Sequence, residues 1–173
     1  MNQSELKFHA DSVSKKIDNA LKDKEYFSYP YQHIILDDFL EDSFINIIHD
    51  SFPDLDNSQW EHSNDKGIEI KSRTNWTSEF DIPEGIVDAI RVFNSAPILK
   101  AISNRLDIPK LIPDPYFTGG GLNITPKNGL LDVHVDGNYH DATGLNRRVN
   151  LLLYLNKNWE PDWGGEFGIY DND

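Results

Sequence analysis

The sequence contains no cysteine, which excludes a disulfide framework, a cysteine-ligated zinc site and a catalytic thiol. It also has no apolar stretch near the roughly 20 residues that span a bilayer. Residues Met1–Glu5 lack the basic and apolar regions of a secretory signal peptide. We therefore expect a cytoplasmic protein with no membrane partner.

Basic residues are scarce, with 16 lysines and arginines against 29 acidic residues and a net charge of −13. Nucleic-acid-binding proteins use clusters of basic side chains to displace counterions from phosphate. This chain offers few such clusters, so we expect no nucleic-acid partner. Its 173 residues, 38% hydrophobic, are enough for one domain with a buried core.

Hydrophobic periodicity predicts four helices in the first two thirds of the chain. Proline near the start of the last two supports their boundaries. The predicted helices cover residues 3–24, 42–51, 84–93 and 96–105. Short strands are predicted at Gln32–Asp37 and Ile68–Ser72, with the polar stretch Asp54–Asn64 as a loop. Helices first and strands after suit a sheet core with a helical layer on one side.

The alternating stretch Leu130–Asp136 contains a His-x-Asp motif. On a strand, side chains two residues apart point to the same face, so His134 and Asp136 are predicted to lie together. An imidazole and a carboxylate so placed are two of the three ligands of a 2-His-1-carboxylate site, which leaves positions open on Fe(II). The alternative is a hydrogen-bonded pair on a half-exposed strand.

Further motifs flank this one in a characteristic order. Gly120–Thr125 predicts a strand closed by the turn Pro126–Gly129. Residues 147–156, which end in Tyr-Leu-Asn, predict a buried strand, and residues 163–170, which begin Trp-Gly-Gly, predict another. Over roughly residues 117–173 this order resembles the 2-oxoglutarate and Fe(II)-dependent dioxygenases, most of all their prolyl-4-hydroxylase-type branch.

The resemblance implies a fold and a reaction. The fold is α+β with a mainly β core, a double-stranded β-helix (jelly roll). Residues 1–116 would form an N-terminal helical and strand region packed on the core, and residues 117–173 the first half of the jelly roll. The reaction is hydroxylation of a C–H bond, in a prolyl residue of a protein or peptide or in a small metabolite. Fe(II), 2-oxoglutarate and O2 are required, with ascorbate as an additional cofactor.

The resemblance also assigns residues. His134 and Asp136 would bind the metal, and the Tyr154 hydroxyl would bind the distal carboxylate of 2-oxoglutarate. Asn123 and Thr125 would supply a second polar pair, although related enzymes often have tyrosine where this chain has Thr125. Phe167 would form an apolar wall of the co-substrate pocket.

Two elements of the family's site have no counterpart here. The family carries a second histidine ligand and a co-substrate-binding arginine or lysine on late strands. This sequence has no histidine after His140 and no arginine or lysine after Lys157. We therefore expect a core that is incomplete at the C-terminus, an open sheet edge available for pairing, and an inactive 173-residue chain. His140 is the first candidate if another residue supplies the third ligand.

A different class of function stays open beside the enzyme. In it the half-barrel is a non-catalytic binding or assembly module, or one part of a split enzyme, that pairs with another chain through its open sheet edge.

Overall fold

The structure is a computed structural model that describes residues 1–65, 67–76, 78–114 and 120–171. Its elements form two compact units. The first contains Met1–Ser51, Pro83–Asp114 and the residues from Phe167, and the second contains Phe52–Ile82 and residues 120–166. The predicted domain boundary between residues 116 and 117 lies outside the described residues, and that division stays a prediction.

Four helices build the first unit, and three have the predicted bounds to within one residue. They are α1 Gln3–Asp18, α2 Asp42–Asp50, α3 Glu84–Phe93 and α4 Ala96–Arg105. Helix α1 begins at a capping box in which Asn2 and Glu5 bind each other's backbone N–H. The prediction that it continues to residue 24 is wrong, because the backbone leaves the helical conformation at Asn19 and turns again at Asp23, where φ is 61°.

The core of the first unit consists of the apolar stripes of these helices. Phe44 of α2, Ile98 of α4 and Val13 of α1 are almost fully buried. Beside the helices lies a short antiparallel sheet of β1 (Tyr26–Phe27) and β2 (His33–Ile34), so the strand predicted from residue 32 to 37 is shorter than expected. None of the helices in the described ranges is long and apolar enough to cross a membrane.

The second unit contains a four-stranded antiparallel sheet with β4 (Glu69–Thr74) in its interior. Strand β3 (Trp60–Asp65) pairs along the whole of β4, from Trp60 opposite Thr74 to Asp65 opposite Glu69. The prediction of a loop over Asp54–Asn64 is therefore wrong from residue 60 onwards. The sequence did not predict this strand, because only Trp60 of β3 is buried and the strand has no alternation of apolar residues.

The other edge of β4 pairs with β5 (Asn123–Ile124) and β6 (Leu130–Leu131). Ile124 lies opposite Ser72, and Leu130 lies opposite Ile70. Only one position of β4 separates Ser72 from Ile70, so residues 125–129 all lie opposite that position. After them the chain continues along β4 in the same direction. The predicted turn at residues 126–129 exists, with a hydrogen bond from the Gly129 N–H to the Pro126 carbonyl. Residues 125–129 therefore form a bulge loop between β5 and β6, which pair with the same edge of β4, and do not reverse the chain.

The two strands predicted at residues 147–156 and 163–170 are absent from the structure, which is a correction. Residues 147–156 have no regular secondary structure, and Leu151, Leu152 and Tyr154 are exposed or half-exposed. A β-strand exists through hydrogen bonds to a neighbouring strand, and an apolar sequence cannot supply that neighbour. The observed class is mixed α and β with antiparallel sheets, while the jelly roll stays a prediction.

Candidate metal centre

The His-x-Asp motif begins where the pairing with β4 ends. The N–H of Asp132 donates a hydrogen bond to the carbonyl oxygen of Ile68 at 2.8 Å, one position beyond β6. The N–H of Val133 then binds the Asp132 carboxylate at 2.8 Å. The backbone is therefore fixed two residues before His134 by a bond to the residue that precedes β4.

The structure brings the side chains of His134 and Asp136 together, as the sequence predicts. Nε2 of His134 lies 3.3 Å from Oδ1 of Asp136. The residues are not part of a strand, however, because the pairing has ended before residue 133. Both side chains are partly open to solvent, with 44% and 65% of their area exposed.

The hydrogen bonds of His134 define which ring nitrogen faces the carboxylate with a lone pair. Nδ1 lies 2.7 Å from the Asp132 carbonyl oxygen. A carbonyl oxygen only accepts, so Nδ1 carries the hydrogen, and in the neutral ring Nε2 has the lone pair. This lone pair and the Asp136 oxygen face each other. A cation between them, either a proton or a metal ion, satisfies both groups.

The donor set fits two neighbouring positions on a metal ion. Two ligands that are each about 2.1 Å from a metal and at a right angle to each other lie about 3.0 Å apart. The observed 3.3 Å is close to this value. The hydrogen bond from the histidine to a backbone carbonyl is the usual support of a metal-binding imidazole. In the part of the chain that is described, no third histidine or carboxylate completes a group of three.

His140 serves a local structural purpose. Its ring is buried, and Nδ1 accepts hydrogen bonds from the N–H groups of Ala142 and Thr143, each at 3.2 Å. The backbone N–H of His140 binds the Leu145 carbonyl, which closes a hairpin-like turn. Nδ1 is thereby used within the turn. A role of His140 as the third metal ligand stays a prediction.

The predicted co-substrate residues of β5 are separated by the start of the bulge loop. Asn123 lies on β5, exposed and directly opposite Arg73 of β4. Thr125 is exposed in the bulge loop, one residue past the end of the strand. Thr125 is therefore not part of the strand that residues 120–125 predict. That these two residues bind the co-substrate stays a prediction.

Tyr154 and Phe167 are both largely exposed, at 56% and 57%. Desolvation of the Tyr154 hydroxyl raises its pKa above the ordinary value. Tyr154 belongs to the second compact unit together with the His-x-Asp motif, whereas Phe167 belongs to the first.

Asn150 is a site residue that the sequence analysis did not single out. Its Nδ2 donates a hydrogen bond of 3.0 Å to Oδ2 of Asp136. The available signal was a lone amide between Val149 and Leu151, inside an otherwise apolar run. A polar residue in such a position usually has a specific partner when the run is buried.

The comparison with known protein families agrees with these motifs. Residues 120–173 match the model of the 2OG-Fe(II) oxygenase superfamily. No curated protein and no solved structure matches the chain significantly. The match supports the resemblance at the level of this superfamily and a dioxygenase-type function. The superfamily implies Fe(II), 2-oxoglutarate and O2.

Proposed function

We propose that this protein is an Fe(II)- and 2-oxoglutarate-dependent dioxygenase that hydroxylates a C–H bond. One atom of O2 would enter the substrate as a hydroxyl group, and the other would enter succinate as 2-oxoglutarate loses CO2. The observation that carries the proposal is the approach of His134 Nε2 to Asp136 Oδ1, within the region that matches the superfamily.

In this proposal His134 and Asp136 hold the metal. His134 does so as a neutral ring, since its Nδ1–H is bound to the Asp132 carbonyl. A bound metal would supply the oxygen chemistry, and the protein would supply the position of the reacting groups. Because the described residues give two protein ligands, we expect weak metal binding and little or no turnover by the 173-residue chain.

The co-substrate residues are proposed from the resemblance. The Tyr154 hydroxyl would donate to the distal carboxylate of 2-oxoglutarate, because a tyrosine hydroxyl keeps its proton at neutral pH. Asn123 and Thr125 would add polar contacts, and Phe167 an apolar wall. Ascorbate would act as an additional cofactor.

For the substrate we propose a prolyl residue of a protein or peptide, with a small metabolite as the second choice. The support is the likeness of the motif order to the prolyl-4-hydroxylase-type branch. The jelly roll and a cytoplasmic location belong to the same proposal.

The function is tested by succinate formation from 2-oxoglutarate in the presence of Fe(II). The wild type, Asp136→Ala and the control Asp141→Ala should be compared in whichever length of the protein forms succinate. Asp141 is an exposed carboxylate of the neighbouring turn. We expect succinate that Asp136→Ala abolishes and Asp141→Ala leaves unchanged. If Asp136→Ala forms succinate as fast as wild type, the proposal is wrong.

One observation favours the second candidate, a non-catalytic module that pairs with another chain. Leu151, Leu152 and Tyr154 form part of an apolar run that is exposed or half-exposed and is not paired as a strand. An apolar run of this kind promotes pairing with a further strand. A protein with no metal binding at His134 and Asp136 that associates through this run would support the module over the enzyme.

A further inference from the structure

Asp136 is held from both sides. His134 approaches Oδ1 at 3.3 Å, and Asn150, 14 residues further along the chain, donates from Nδ2 to Oδ2 at 3.0 Å. Among the described contacts, these two side chains are the partners of this carboxylate. The rest of it is open to solvent, since 65% of its area is exposed.

The two oxygens of a carboxylate are equivalent until something distinguishes them. The terminal torsion of aspartate is broad, so a free carboxylate on an exposed loop rotates easily. A bond from the amide of Asn150 to Oδ2 restricts this rotation and leaves Oδ1 directed at Nε2 of His134. The amide is neutral, so it orients the carboxylate and leaves its charge available to a cation.

The same arrangement exists on the histidine. The Asp132 carbonyl fixes the His134 ring through Nδ1, and the Asp132 N–H is itself bound to Ile68 beside β4. His134 and Asp136 thus each make one hydrogen bond through the atom that does not face the other residue, which is Nδ1 in the histidine and Oδ2 in the aspartate. Partners of this kind are known to set the affinity of a metal site.

We propose that Asn150 is a positioning residue for Asp136, and that metal affinity at the His134–Asp136 pair depends on its amide donor. The inference rests on the proposed function, because it assumes that the pair binds a metal. It adds a residue that acts through Asp136 and does not itself touch the metal.

The experiment is a titration of the ¹⁵N-labelled 173-residue chain with Mn(II), which broadens the NMR signals of nearby amides even when it binds weakly. Asn150→Leu keeps the approximate volume and removes the donor, while Asn150→Gln keeps a donor. Asn146→Leu is the matched control, on an exposed asparagine of the same region. We expect broadening centred on residues 132–136, about tenfold weaker binding in Asn150→Leu, partial recovery in Asn150→Gln, and wild-type binding in the control.

The contact between Asn150 and Asp136 can also be tested by NMR in the metal-free protein, without changing Asn150. If the contact exists, Asp136→Ala shifts the side-chain amide signal of Asn150 in the metal-free protein. An unshifted signal overturns the inference.

The outcomes separate the two proposals. Broadening that Asp136→Ala abolishes, with Asn150→Leu equal to its control, overturns the positioning role and leaves the metal site intact. Absence of any broadening that depends on Asp136 overturns the metal site and the positioning role together.

Discussion

The backbone N–H of Asp132 lies 2.8 Å from the carbonyl oxygen of Ile68, and this hydrogen bond joins the candidate metal centre to the sheet. Ile68 immediately precedes β4, and Asp132 immediately follows β6. Two residues later His134 uses the carbonyl of Asp132 to fix its ring. The position of the histidine therefore depends on a strand more than 60 residues earlier in the chain.

The first prediction concerns coupling between the two metal-binding side chains. We expect His134→Ala and Asp136→Ala each to weaken Mn(II) binding, and the double variant to be no weaker than the worse single one. The reason is that either change destroys the shared site, so the effects are not additive. A double-mutant cycle on Mn(II) affinity checks this. Fully additive losses would mean that the two residues bind Mn(II) independently.

The second prediction concerns Tyr154. Tyr154→Phe removes a hydrogen bond to a charged group, which is worth about 1.5–3 kcal/mol, so the apparent Michaelis constant for 2-oxoglutarate should rise about tenfold or more. The measurement is succinate formation against 2-oxoglutarate concentration, in whichever length of the protein turns over. Tyr139→Phe, which alters another exposed tyrosine of the same unit, is the control. An unchanged constant would assign Tyr154 a structural role.

The third prediction concerns the bulge loop between β5 and β6. A Cβ atom on Gly129 would lie 2.9 Å from the Ile70 carbonyl oxygen and 2.8 Å from that of Pro126. Since both are backbone atoms, Gly129→Ala should lower the free energy of unfolding by about 1–3 kcal/mol. Urea denaturation measures this.

Gly67→Ala is the matched control for that change. Gly67 lies in the turn between β3 and β4, and an added Cβ would find its nearest atom at 3.7 Å. We expect little loss of stability there. Equal losses in the two variants would show that the close approach at Gly129 is not what requires glycine.

The fourth prediction concerns pH and His9, a buried histidine of α1 stacked on Phe44 with ring centroids 4.5 Å apart. Burial lowers its pKa below the ordinary 6.5, against the opposing charges of Glu41 and Glu5. Between the folded-state pKa and 6.5 the unfolded chain binds more protons than the folded protein. Stability therefore falls as pH decreases through this window and is fully present above it.

His9→Phe should remove this part of the pH dependence. The measurement is the urea midpoint at about pH 7.5 and about pH 5.5, where wild type should lose more stability than the variant. His49→Gln, on a half-exposed histidine of α2, is the control and should behave as wild type. An equal loss in wild type and His9→Phe would contradict the proposed cause.

The helices could be predicted from the sequence because their signals are local. Helices α3 and α4 have the bounds that their apolar stripes and nearby prolines indicate, and α2 differs by one residue. The proximity of His134 and Asp136 could also be predicted, because a spacing of two residues keeps side chains close in extended backbone. These features depend on neighbours within about one turn of helix or a few residues of chain.

Only the tertiary structure decided which strands and hydrogen bonds form between residues that are distant in sequence. Strand β3 has a polar sequence and exists because it pairs with β4, whereas the apolar residues 147–156 form no strand in the described structure. The bond between Asn150 and Asp136 joins residues 14 positions apart, and no local rule gives that distance. Sequence determines which groups are available, but hydrogen-bond partners far along the chain determine which of them meet.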